Sequence, residues 1–195
     1  MKVERIAIVA ALLLVACQNG GRAPVAAAQP VNDSAVARVA EALARGDAAE
    51  HSGSTSEYAA AALALEQLGA RAEDDTPDLA SRWRDAARAG GVDLPPPFRG
   101  RALGPAYSRG AIDANGAFVT EQVFLAGQPA EIAVVPQARN GLRLIITDQD
   151  DKTLCDQRVA PPRTLCRWLP IFTRRVTIRL HNGQAEAVNY YLVTN

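Results

Sequence analysis

The sequence is poor in the residues from which catalytic and metal sites are most often built. Among 195 residues there are three cysteines and two histidines, and aromatic side chains make up 5%. Basic and acidic residues are balanced at 21 each, so the basic excess that nucleic-acid-binding domains gather on one face is missing. The longest apolar run, residues 6–16, is shorter than the roughly 20 residues that a transmembrane helix needs. These shortages argue against a nucleic-acid-binding protein and against a permanent transmembrane span.

The first 17 residues have the layout of an export signal, with charged residues at positions 2, 4 and 5 before the apolar run. Residues 14–17 (LVAC) resemble the lipobox of bacterial lipoprotein precursors, in which a small residue precedes an obligatory cysteine. The resemblance implies that residues 1–16 are a signal peptide removed after Ala16, and that Cys17 is lipidated by diacylglycerol and a fatty acid such as palmitate. Several acyl chains on one residue give durable membrane attachment. The alternative is an ordinary cleaved signal followed by a coincidental cysteine, which would leave an unpaired thiol in an oxidising compartment.

The sequence after the signal predicts a nearly neutral protein that is joined to its anchor by a flexible tether. The chain from Cys17 onward carries 19 basic and 20 acidic residues and is close to neutral. Residues 17–31 hold too few large apolar side chains to offset the entropy of ordering, so they are predicted to be a flexible tether. Gln18 stands where retention in the inner membrane is associated with aspartate. In a host with two membranes, we therefore expect the protein to be anchored in the outer membrane and to face the periplasm.

Residues 32–92 are alanine-rich and have helical periodicity. The first helix is predicted to start at Asp33 and to end at Gly46, and the second to start after Ser54 or Thr55 and to stop at Gly69. The third is predicted to have Thr76 as its cap and Pro77 at its first position. Together they indicate a small helical hairpin or three-helix unit. The proline-rich residues 93–99 form a stiff linker and mark the predicted domain boundary.

Residues 100–195 have the character of β-strands. Seven short segments with alternating polarity are separated by turn residues, at 118–125, 131–135, 142–147, 153–158, 164–169, 175–180 and 188–193. The alternation is cleanest where Val176, Ile178 and Leu180 share one face, which is expected to face inward. The predicted fold class is α+β, in which the helical unit is followed by an antiparallel jelly-roll-like β-sandwich.

The stretch from about Phe118 to Asn195 resembles the bacterial pre-peptidase C-terminal domain. The matching features are Gly127 and Gln128 before a strand with Ile132 and Val134, then Leu142, Leu144 and Ile146 before Asp148, and a final strand with Tyr190, Tyr191 and Leu192. The resemblance implies a jelly-roll-like sandwich. The sequence departs from that family at residues 170–173 (PIFT), where a glycine and an aromatic residue usually open the penultimate strand.

The cysteine count predicts one disulfide. If Cys17 carries lipid, Cys155 and Cys166 remain as a pair in neighbouring predicted strands, and a bond between them would staple a hairpin. Closing a loop of this length stabilises the fold by roughly 3 kcal/mol in the chain-entropy model. A redox or metal site is the alternative, but the close cysteine spacing and histidine partners of such sites are missing.

Two groups of residues are candidate ligand sites. Asp148, Asp150 and Asp151 cluster in a turn where hard cations could bind, and some relatives of the pre-peptidase domain bind calcium. The alternative is a hairpin turn whose aspartates hydrogen-bond their own backbone, and we expect no metal or other cofactor. A binding groove could also be lined by Trp168, Tyr190 and Tyr191, although core packing is the more ordinary use of aromatic side chains.

No catalytic constellation is recognisable. His51 lies beside Ser52, Ser54 and Ser56, but no glycine-flanked nucleophile elbow is present, and His181 lies at a strand end. We therefore expect a non-enzymatic envelope lipoprotein that binds a protein, glycan or peptidoglycan-associated partner and no nucleic acid. The alternatives are an exported hydrolase and an accessory or inhibitory subunit of an exported peptidase.

Overall fold

The computed structural model describes residues 34–73, 75–97, 103–137 and 141–195, which belong to one compact unit. The signal peptide, Cys17, the tether and the predicted cap at Asp33 lie outside these residues. Three helices come first, α1 (Ala35–Ser52), α2 (Thr55–Gln67) and α3 (Leu79–Ala89). None of the helices within the described ranges is long and apolar enough to cross a membrane.

Helix α1 is longer than predicted, because Gly46 does not end it. The helix begins after Ser34, whose Oγ accepts the N–H of Ala37 at 3.1 Å, and continues to Ser52. Gly46 lies against the ring of Trp83, and a Cβ at this position would stand 2.2 Å from Trp83 Cη2. The glycine therefore serves the packing of α3 on α1.

The predicted N-cap is confirmed for α2 and wrong for α3. Helix α2 begins after Ser54, as predicted, and Ser54 Oγ accepts the N–H of Glu57 at 3.4 Å. The cap of α3 is Asp78 and not Thr76, since the Asp78 carboxylate accepts two N–H groups of the first turn. Thr76 Oγ1 instead accepts the N–H of Arg109 on a neighbouring strand.

The strands form two sheets. They are β1 (Arg71–Ala72), β2 (Ala106–Ile112), β3 (Ala117–Phe124), β4 (Ala130–Pro136), β5 (Leu142–Asp148), β6 (Thr153–Arg158), β7 (Thr164–Trp168), β8 (Arg174–Asn182) and β9 (Val188–Thr194). Sheet A has the order β1-β2-β9-β4-β7 and sheet B the order β3-β8-β5-β6. The antiparallel pairs β2·β9, β3·β8, β4·β7 and β5·β6 are nested in sequence. Nested pairs placed alternately in two sheets form a jelly roll, so the predicted fold class is confirmed.

All seven predicted strands are present, and two further strands were missed. Strand β2 contains Ser108, Arg109 and Gly110, which weaken its alternating pattern. Gly110 is required there because a Cβ would stand 2.6 Å from the hydroxyl of Tyr190. The two-residue strand β1 pairs with β2 in parallel, so sheet A is mixed rather than wholly antiparallel.

The molecule has two main apolar cores on either side of sheet A. The inner core lies between the sheets and contains the predicted inward residues Val176, Ile178 and Leu180. The second core lies between the helices and the outer face of sheet A, where Val39, Leu43, Leu65 and Trp83 meet residues such as Tyr191 and Val193. The helices therefore cover sheet A and share a core with it, while the boundary at 93–99 stays a prediction.

The disulfide Cys155–Cys166 is formed, with the two Cα atoms 6.4 Å apart. Its position corrects the prediction of a stapled hairpin. Cys155 lies on β6 of sheet B and Cys166 on β7 of sheet A, because β6 pairs with β5 in sheet B whereas β7 pairs with β4 in sheet A. The bond thus crosslinks the two sheets within the inner core. A disulfide is typical of proteins exported to oxidising compartments.

Candidate binding site

The structure separates Trp168, Tyr190 and Tyr191, for which a shared groove and core packing were the two alternatives. Tyr190 is buried in the inner core and Tyr191 in the helix-covered core, because successive residues of a strand point to opposite faces. Burial raises the pKa of Tyr190 to about 12 and that of Tyr191 further. These two tyrosines are packing residues. Trp168 alone reaches a cavity open to solvent.

This cavity lies at one end of the sandwich and has a volume of about 300 Å³. Its lining is mostly apolar, and Phe124 meets Trp168 edge to face with ring centroids 5.0 Å apart. Leu154 and Val176 contribute further apolar surface, and Phe172 stands at the mouth. A concave apolar surface of this size accepts a small apolar group and excludes water from it.

Exposed apolar side chains surround the cavity. Leu125 is 54% exposed, Leu169 63%, Ile171 82% and Phe172 61%. We call these four residues together with the cavity the apolar end. Monomeric soluble proteins seldom leave large apolar side chains in contiguous exposed groups. Such a group indicates a surface that is covered by something else.

Hydrogen bonds donated by two backbone N–H groups hold the two loops of the apolar end together. The N–H of Gly127 donates to the carbonyl of Pro170 at 2.9 Å, and the N–H of Ala126 donates to Thr173 Oγ1 at 3.0 Å. Gly127 has a φ of +72°, which a residue with a side chain rarely adopts. The loop 125–129 is thereby fixed against the loop 169–173. The exposed apolar side chains are thus carried by loops whose backbones are hydrogen-bonded to each other.

Charged groups form one side of the cavity mouth. Arg174 Nη1 is 2.8 Å from Asp150 Oδ2, and the guanidinium lies 5.3 Å from the ring centroid of Phe172. Lys152 also lines the cavity. Among the described residues it has no ion pair. The mouth therefore offers an ammonium group next to apolar surface.

Asp148 and Asp150 of the aspartate cluster bind groups of the protein itself. Asp148 Oδ1 accepts the N–H groups of Asp150 and Lys152, each at 3.0 Å, and Asp151 occupies the turn with a φ of +58°. This is the backbone-bonded hairpin turn that was weighed against a calcium site. Within the described ranges, no group of three or more His, Cys, Asp or Glu side chains is placed to hold a metal ion.

Among the described residues, neither histidine side chain forms an ion pair within 4.0 Å of a carboxylate, although His51 interacts electrostatically with Asp47. His51 Nδ1 is 2.8 Å from the backbone carbonyl of Asp47, and the side chain of His181 has no hydrogen-bond partner in the part of the chain that the structure describes. A polar cavity of about 310 Å³ next to His51 contains Asp47 and Arg109. Burial raises the pKa of Asp47, while a hydrogen bond from Gln137 opposes this. Ser54 and Ser56 hydrogen-bond each other at a helix cap, as expected for a cap-rich loop.

Most residues of the apolar end were missed at the sequence level. The available signal was the run Leu169-Pro170-Ile171-Phe172, since consecutive apolar residues in a turn between strands are unusual unless they are functional. Three residues of this run, Pro170, Ile171 and Phe172, belong to the segment in which the sequence departs from the pre-peptidase pattern. Its contact with residues 125–129 depends on long-range pairing that a pattern along the chain does not contain.

Comparison with known proteins finds similarity in solved structures only. No protein-family model matches the chain, and no curated protein matches it in sequence. Solved structures that resemble it include the pre-peptidase C-terminal domain of a collagenase from Bacillus anthracis, with 10% identity, a TM-score of 0.41 and coverage of 46% of this chain and 87% of that chain. Another is a mitogen derived from Yersinia pseudotuberculosis, with 12% identity, a TM-score of 0.35 and coverage of 47% and 84%.

A third is a periplasmic inhibitor of g-type lysozyme from Aeromonas hydrophila, with 14% identity, a TM-score of 0.35 and coverage of 47% and 84%. Each similarity spans less than half of this chain. The pre-peptidase domain is thus among the structural neighbours at low identity.

Proposed function

We propose that this protein is a non-catalytic binding module of the bacterial envelope, lipid-anchored through Cys17, whose apolar end docks a protein partner. The observation that carries the proposal is the concentration of exposed apolar side chains around one open apolar cavity. The tether of residues 17–31 would give the module reach from the membrane. The outer membrane, facing the periplasm, is the proposed location.

The energetics of the apolar end favour a partner that inserts an apolar side chain. Fully burying a side chain such as Ile171 or Phe172 contributes about 1.5–3 kcal/mol. Binding energy concentrates where anchors fill desolvated pockets near the centre of an interface. The cavity beside Trp168 offers such a pocket, and the fixed loops reduce the entropy lost on binding.

Photo-crosslinking in intact cells tests the docking surface. A photoreactive amino acid is placed at position 171 in one strain and at position 103 in another. Leu103 is the matched control because it is 88% exposed and lies outside the apolar end. We expect a discrete crosslinked protein from position 171 and none from position 103. That protein is then identified by mass spectrometry.

Binding of the identified protein is then measured with purified variants. Ile171→Asp should weaken binding at least about tenfold, because a carboxylate cannot enter the apolar contact without losing hydration. Leu103→Asp should leave it unchanged. Equal effects of both substitutions, or no adduct that depends on position 171, would refute docking at the apolar end. A captured exported peptidase would make the module its accessory or inhibitory subunit.

The anchor is tested separately. Cys17→Ser should abolish incorporation of labelled fatty acid and release the protein from the membrane fraction, because the sulfur is the attachment point. Continued acylation of the variant would refute the lipoprotein assignment without affecting the docking proposal.

A further inference from the structure

The outward face of sheet B is uncovered in the part of the chain that the structure describes, because the helices pack on sheet A. Five exposed basic side chains lie on this face. They are Arg143 on β5, Arg158 on β6, and Arg175, Arg179 and His181 on β8. We call these five residues the basic face. It is distinct from the apolar end and shares no residue with it.

The register of sheet B places basic side chains side by side. His181 on β8 is directly opposite Arg143 on β5, and Arg143 is directly opposite Arg158 on β6. Directly opposite residues of neighbouring strands are about 5 Å apart at Cβ, and like charges at that distance destabilise a sheet. The opposite placement of Arg143 and Arg158 therefore costs stability unless an anion lies beside them.

Acidic partners neutralise only part of the basic face. Arg143 makes two hydrogen bonds to the Asp156 carboxylate, at 2.6 and 2.7 Å, and Arg175 is 3.0 Å from Glu121. Arg158 and Arg179 have no ion pair with any described residue. Both side chains are exposed, and no described residue accepts a hydrogen bond from either guanidinium group, so their donors are available to an anionic ligand.

We propose that the basic face binds an acidic polysaccharide, with carboxylates of successive sugar units held by Arg158 and Arg179. Guanidinium groups bind planar carboxylates through paired charge-assisted hydrogen bonds, which favours this class of anion. Thr147 and Thr177, opposite each other on the same face, add hydroxyls that can hydrogen-bond sugar hydroxyls. The uncovered face of a four-stranded sheet gives room for an extended chain lying across several strands.

Features of the same face disfavour the other polyanions. It presents no aromatic side chain on which nucleic-acid bases could stack. The near-neutral chain has no general basic excess for a phosphate backbone. The large exposed apolar side chains on loops, which could enter a lipid surface, lie at the apolar end, whereas this face carries the smaller exposed side chains Val119 and Val123.

The experiment measures binding of the full-length protein in detergent to immobilised polygalacturonate. Fully methyl-esterified polygalacturonate is the matched polymer without charge. The test variant is Arg158→Gln with Arg179→Gln. The matched control is Arg38→Gln with Arg88→Gln, which removes the same charge from exposed arginines of the helices that have no ion pair among the described residues.

We expect binding to the acidic polymer and none to its ester. The test variant should bind about tenfold more weakly, since two charge-assisted contacts are lost. The control variant should change binding by less than about twofold, because distant exposed charges are screened. Circular dichroism should show both variants folded.

Three results would overturn the proposal. The first is no binding, or equal binding to the ester. The second is equal weakening by the test and control variants, which would indicate bulk charge only. The third is tighter binding to duplex DNA or to phosphatidylglycerol vesicles that the test variant abolishes, which would assign the face to another polyanion. None of these results bears on the apolar end, because its own test uses position 171.

Discussion

Removing the disulfide Cys155–Cys166 should destabilise the protein by about 3 kcal/mol while leaving its fold and binding intact. The cysteines are 11 residues apart, and the chain-entropy model gives about 3 kcal/mol for a closed loop of this size. Both side chains are buried in the inner core, so the replacement used is alanine, which avoids placing a hydroxyl in an apolar site. For a domain of about 160 residues this corresponds to a drop in Tm of roughly 6–12 °C.

The assay is thermal unfolding followed by circular dichroism, for the wild type and for Cys155→Ala with Cys166→Ala, each with and without a thiol reductant. Reductant should lower the Tm of the wild type and leave that of the double variant unchanged. Binding measured well below the Tm should be the same in all four samples, because loop closure acts on the unfolded chain. A double variant that stays folded but loses partner binding would refute the structural role.

Three further predictions concern positions in the helices and strands. Gly46→Ala should lower the free energy of unfolding in urea titrations, because crowding of Trp83 costs about 1–3 kcal/mol, whereas helix propensity alone would raise it by about 1 kcal/mol; a stabilised variant would contradict the packing role of this glycine. Tyr107→Phe should cost about 1–3 kcal/mol in the same titrations, because its hydroxyl accepts a buried backbone N–H at the start of α3; an unchanged midpoint would show that this N–H finds another partner. Asp47→Asn should raise stability at pH 7 and reduce the gain in stability that the wild type shows as pH falls toward the ordinary pKa of aspartate. The reason is that the pKa of Asp47 is raised in the folded state, so its ionised form is disfavoured there, while the asparagine Oδ1 still accepts from Gln137; parallel pH profiles of the two proteins would exclude Asp47 as the source.

Local patterns predicted the β-strands well because alternation is a property of consecutive residues. Val176, Ile178 and Leu180 were recognised as an inward face from their spacing alone, and all three are buried in the inner core. Strand β2 was missed because its middle consists of Ser108, Arg109 and Gly110. Tertiary contacts explain such residues in a strand, as at Gly110, where the side chain of Tyr190 leaves no room for a Cβ.

The helix ends also show that local preferences can be predicted from the sequence, whereas tertiary contacts cannot. Ser54 was identified as a cap because the preference of serine for that position is local. Gly46 was misread as a helix end because glycine is common there, and only the ring of Trp83 packed against it explains a glycine inside the helix. Thr76 was misread as a cap because its hydroxyl bonds a strand far along the chain.

The sequence by itself determined the three helices, the strands β3 to β9, the pairing of Cys155 with Cys166 and the sandwich class, since periodicity, turn chemistry and cysteine count act locally or by elimination. Tertiary structure alone decided which residues lie next to each other and which are exposed together on one surface. It placed the two cysteines in opposite sheets, and it buried Tyr190 and Tyr191 on different faces of one strand. It also joined the loop of Ile171 and Phe172 to residues 125–129. The physical reason is that nested strand pairing brings together segments distant in sequence, and a pattern along the chain records which face a residue prefers but not what lies opposite that face.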